Sequence, residues 1–136
     1  MPLFDRWFSQ KPQPLSGAPE VRRQKTYSGQ SGYVYQYYYE GHRPYRHKHN
    51  KGTEFVFDVS ADRKTSAPVS VVVSGAAIED WESRHGRTLH GSERYAIAKM
   101  ALFQAFDERP VPGAMGEAVR VRAADVEDIL IRLGIE

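Results

Sequence analysis

The chain has 136 residues, 40% of them hydrophobic and 26% charged, with a formal net charge of +2. That length suits one domain with a single core. The absence of cysteine excludes disulfides, thiol nucleophiles and thiolate metal sites, and no apolar run approaches the roughly 20 residues that span a bilayer. The near-neutral total hides an uneven split. Residues 1–51 carry nine Lys and Arg against three Asp and Glu, whereas residues 52–136 carry ten against fourteen. Pro12 and Pro14 interrupt the N-terminus before a secretory h-region can form, so the expected location is cytoplasmic.

Residues 1–31 read as a tail. Its opening residues 2–9 form a short amphipathic element, with Pro2 at a first helical position and Leu3, Phe4, Trp7 and Phe8 on one side. Too short to be stable alone, this element is expected to dock on the domain, on a partner protein or on a membrane surface. The remainder of the tail is rich in Pro, Gly, Ser and basic residues and reads as a linker.

A single α+β domain is expected over residues 32–136. YVYQYYYE places Tyr33, Tyr35, Tyr37 and Tyr39 on one side of a strand and Val34, Gln36, Tyr38 and Glu40 on the other. The basic run 42–51 then reads as a loop. TEFVFDVS and VSVVVS give two further strands, with Phe55, Phe57, Val59, Val69, Val71 and Val73 on their apolar faces. Ser74 caps a helix that Gly86 ends, and a second helix runs from Ser92 to about Asp107. VRVR is a short strand candidate, and Val126, Ile129, Leu130 and Leu133 mark a final helix. The order β-β-β-α-α-(β)-α predicts an antiparallel sheet of three or four strands with helices covering one face.

Seven of the eight tyrosines fall between Tyr27 and Tyr45, beside the basic run. Arg43, Tyr45, Arg46, Lys48 and Lys51, helped by Arg22 and Arg23 of the linker, are the residue types that neutralise phosphates and stack on bases. The lead expectation is therefore a non-catalytic binding or regulatory protein whose ligand is nucleic acid, held weakly and with strong salt sensitivity. The alternative is a protein-interaction module. Register decides which tyrosine row meets the apolar faces. If the row 33, 35, 37, 39 does, the open face carries Val34, Tyr38, Val56 and Val72 within a polar rim, a composition suited to a homodimer.

No catalytic residue is assigned, because the chain lacks a nucleophile motif and a glycine-rich phosphate loop. Glu54 with Asp58, and Glu82 with His85, are pairs too sparse for a reaction. His42, His47 and His49 alternate with Arg46 and Lys48, which repel a dication, so neither metal nor cofactor is expected.

Overall fold

Two long, β-branched and aromatic segments set the architecture of the computed structural model, which describes residues 13–136. They are β2 (Val34–His47) and β3 (Asn50–Ser60), flanked by β1 (Lys25–Ser28) and β4 (Ala67–Ser74). Helix α1 (Gly75–His85) follows directly on β4, then α2 (Gly91–Glu108), a 3₁₀ turn (Pro112–Gly116), β5 (Val119–Val121) and α3 (Ala123–Arg132). The α+β class is as the sequence predicts, but the sheet is not a three- or four-stranded antiparallel one. Among the described residues it has five strands in the order β1-β2-β3-β4-β5, and β5 runs parallel to β4.

The difference has two physical sources. Strands β1 to β4 are joined by short turns and are antiparallel, whereas the chain leaves β4 through two helices and returns by a crossover, which permits a parallel partner. The extra strand at the other edge lies inside the expected linker. KTYS is too short, and too close to Gly and Ser residues, to be marked as a strand by Thr26 and Tyr27 alone; it is held by pairing with Val34–Tyr37 and by the Tyr27 ring, stacked 4.3 Å from Phe103 of α2. The basic run, expected as a loop, continues β2 and β3 into a hairpin.

Register settles the tyrosine faces. Tyr37 pairs with Val59 and Tyr39 with Phe57, so the odd-numbered row faces the helices. Tyr35 is fully buried and stacks on Phe106 of α2 at 4.1 Å. Trp81 of α1, Leu102 and Phe106 of α2, and Ile129 and Leu130 of α3 complete the core against Val71, Val73 and Val121. Ser74 Oγ accepts a hydrogen bond from Ala77 N at the start of α1, and Gly86, at φ 65°, ends it.

A bulge between Tyr39 and Gly41 shifts the pairing by one residue. There the N-terminal arm crosses β2: Ser16 and His42 exchange backbone hydrogen bonds of 2.7 and 2.8 Å. Gly41 sits beneath this crossing at φ 129°, and a Cβ on it would lie 2.7 Å from Ser16 O, so only glycine fits.

Candidate nucleic-acid interface

After the bulge the alternation of β2 is inverted relative to a continuous strand. His42 faces the core with Phe55, while Arg43 and Tyr45, partners of Glu54 and Gly52, point to the open face with Tyr38. This decides the fate of the seven expected phosphate contacts, which the fold does not bring to one place.

Two arginines are consumed by the sheet. Arg22 reaches Glu40 and Asp58 at 2.8 and 3.0 Å and lies 3.7 Å over the Tyr38 ring. Arg43 Nε donates to Glu54 at 2.8 Å, and the Ser70 hydroxyl donates to the other oxygen of the same carboxylate. Burial pushes the Glu54 carboxyl up, but the hydrogen bonds from Arg43 and Ser70 and the Arg43 charge outweigh it and hold the group below the usual carboxylate range.

A folded-state pKa below the unfolded one contributes stability that is present at neutral pH and lost as pH falls through the depressed value. Glu54→Gln should therefore unfold more easily than the native chain near neutral pH, by about 1–2 kcal/mol. The deficit should shrink as pH falls below the usual carboxylate range and the native carboxylate is itself protonated. Thermal melts of both proteins across that range check the expectation, and a gap that persists undiminished in acid refutes it.

Tyr45 is also drawn onto the sheet. Gly52 opposite it has no side chain, and the Tyr45 hydroxyl lies 3.5 Å from Arg120 Nη1 of β5, across β3 and β4. Arg120 is a cation on this face that the sequence reading did not single out; its strand position makes sense only once β5 is paired. The other sheet-face candidates are similarly enclosed. Val56 and Val72 are each 7% exposed, whereas Val34 keeps 43% of its surface. Leu3, Phe4, Trp7 and Phe8 lie outside the described residues.

What remains is the hairpin tip. Strand β4 pairs with β3 only as far as Gly52, opposite Ser74, so the pairs Arg46–Lys51 and His47–Asn50 extend beyond the four-stranded part of the sheet. Lys48 and His49 make the two-residue connection, and Lys48 adopts φ 55°, a left-handed conformation that favours glycine. All six tip residues from Arg46 to Lys51 are exposed. Arg46, Lys48 and Lys51 form no ion pair among the described residues, and residues 41–53 contain no Asp or Glu. Arg46 and Lys51 are direct cross-strand partners, an arrangement of like charges that weakens a hairpin. Arg23 is exposed but sits on the N-terminal arm, beside Lys25 and away from the tip.

The histidines of the run are likewise separated. His42 Nδ1 lies 3.2 Å from the Tyr39 hydroxyl on the core side, while His47 is at the tip on the opposite face. Among the described residues no three His, Asp or Glu side chains are grouped in a way that would hold a metal ion, and no helix is long and apolar enough to cross a membrane. No protein-family model, no curated protein and no solved structure matches the chain.

Proposed function

We propose that this protein binds nucleic acid through the tip of the β2–β3 hairpin, with Arg46, Lys48 and Lys51 on backbone phosphates. The observation that carries the reading is the Arg46–Lys51 pair: two cations placed opposite each other, with a third at the turn, no Asp or Glu in residues 41–53 and no ion pair to any of the three among the described residues. In the free protein this arrangement costs stability. A polyanion relieves it, because each phosphate neutralised releases condensed counterions into solution. The protruding part is only two residue pairs long, roughly 7 Å at the rise of an antiparallel strand. It therefore suits phosphate contact more than deep reading of base edges. Such binding is weak and salt-dependent by nature.

Fluorescence anisotropy with labelled duplex and single-stranded oligonucleotides at low and moderate salt tests the proposal. Three phosphate contacts give a log–log salt dependence of about −3 on duplex DNA. Replacing Arg46, Lys48 and Lys51 together by Gln should flatten that dependence and remove most of the affinity. Native curves that stay flat at both salts would sink the reading.

A further inference from the structure

The helix side of β2 holds a second feature that the hairpin reading does not use. Between the N-terminal arm and α2 lies a trough of two adjoining basins that share Tyr39 and Tyr95 as a common wall. The first, about 560 Å³, is lined by Tyr37, Tyr39 and Tyr95 of the domain and by Pro19, Val21 and Arg23 of the arm, with Lys25 of β1. The second, about 390 Å³, has Thr53, Ser92, His42 and Arg94 among its lining residues and no Asp or Glu among the described residues that line it. Both volumes fall in the usual range of small-ligand sites.

The two basins differ in chemistry. In the first, Tyr39 and Tyr95 meet at 4.6 Å between ring centroids and offer aromatic surface to a flat ring. Burial and the neighbouring Tyr95 push the Tyr37 and Tyr39 hydroxyls up to about 12, so both stay protonated and can donate. Glu20 is the one carboxylate at this end, on the exposed arm. In the second basin Arg94 is underused. Its Nη2 makes a single long hydrogen bond of 3.4 Å to Glu82, whose same oxygen already accepts Leu89 N at 2.7 Å. Arg94 Nε is buried with no hydrogen-bond partner among the described residues, although the side chain as a whole is 42% exposed. A buried guanidinium donor without a partner is costly, and an anion in this basin is the partner that fits.

We infer that the trough binds one nucleotide unit, with its base against Tyr39 and Tyr95 and its phosphate on Arg94. A flat ring alone would leave Arg94 as it is, and an inorganic anion alone would leave the tyrosine basin unfilled. The ligand that fills both is an aromatic ring joined to an anionic group. It has two sources: a free mononucleotide, or a nucleotide within a single strand. The strand source is compatible with the hairpin tip, because Arg46 and Lys51 lie on this same side of the sheet, two residue pairs beyond Pro44 and Thr53. The trough inference does not rest on the tip reading.

Calorimetric titration of the full chain with a nucleoside, its 5′-monophosphate, inorganic phosphate and a four-nucleotide single strand tests the inference and separates the sources. Binding of the monophosphate at least tenfold tighter than both nucleoside and phosphate identifies a free-nucleotide site. Binding of the tetranucleotide alone identifies a strand site. Either way, Tyr95→Leu should weaken the bound form by roughly fivefold to a hundredfold, the range for loss of one stacked base. Arg94→Gln should weaken it while leaving nucleoside binding unchanged. Unaltered affinity in both variants, with melting curves like the native chain, overturns the inference, as does the absence of heat with every ligand. Lys51→Glu should leave the monophosphate titration untouched, so failure of the tip reading and failure of the trough are distinguishable.

Discussion

Lys51→Glu should make the protein more stable and a poorer ligand for nucleic acid at the same time. Lys51 faces Arg46 across the hairpin, so the substitution turns a repulsive cross-strand pair into an attractive one, worth up to about 1 kcal/mol in the folded state. It also removes one of three tip cations and adds a negative charge beside the other two. The salt dependence of duplex binding should drop from about −3 toward about −1, because Lys51 is lost and Arg46 opposite it is engaged by the new Glu, each lost phosphate contact removing about 0.9 from the slope. Chemical denaturation and anisotropy on one preparation read both effects. Their opposite signs matter: a variant that binds poorly because it is misfolded cannot also unfold later than the native chain. Raised stability with unchanged affinity would place the ligand elsewhere on the molecule.

Phe106→Ala is expected to have the largest effect on stability, a loss of about 3–5 kcal/mol. Its side chain is fully buried and contacts three tyrosine rings at once: Tyr35 stacked at 4.1 Å, Tyr27 at 5.8 Å and Tyr37 at 6.2 Å. These rings come from β1 and β2, so one side chain of α2 anchors both strands to the helical layer. Its backbone oxygen also accepts a hydrogen bond from Ser31 Oγ at 2.7 Å, which ties down the β1–β2 turn. A domain of this size has a total stability of roughly 5–15 kcal/mol, so the variant should be largely unfolded on mild heating. Phe106→Leu should recover much of the loss by refilling the cavity. A melting temperature close to native for Phe106→Ala would mean that the tyrosine cluster is not what fastens the first two strands.

The sequence pattern made much of this architecture legible. Alternation in YVYQYYYE and TEFVFDVS identifies both strands, though register decides which tyrosine row turns inward, and Ser74 and Gly86 mark the ends of α1 because capping chemistry is local. The helix order and the burial of Ile97, Leu102 and Phe106 follow from apolar spacing. The missing parts depend on contacts distant in sequence. KTYS is a strand only because Tyr27 finds Phe103, and VRV is a parallel edge only because two helices return it to Val71 and Val73. The bulge at Gly41 had a local cue, a glycine within a strand, but its effect is global: it reverses the parity of every later residue in β2.

For the candidate interface, composition marks a cationic stretch of chain but does not divide it. Arg43 and Arg22 look identical to Arg46 in a charge count. Pairing with Glu54, and with Glu40 and Asp58, removes them, and that pairing follows from strand register. Arg94 and Tyr95 carry no signal in the sequence beyond their place in the helix from Ser92 to about Asp107. Their proximity to Tyr39 arises from the packing of α2 on β2, between residues more than fifty positions apart.

The unequal strand lengths bear on how this molecule avoids sticking to copies of itself. Its long, valine- and aromatic-rich central strands would template cross-β stacking if their backbones lay bare, yet they are interior to the sheet. One rim ends in the three residues of β5 and the other in the four of β1. Where β2 outruns β1, Ser16 occupies the backbone groups of His42. Two residues further along, Pro44 presents the same flank without an amide to offer. Short rims, a strap and a proline leave little for a neighbouring chain to zip onto, which equips a protein rich in tyrosine and valine to resist fibril growth.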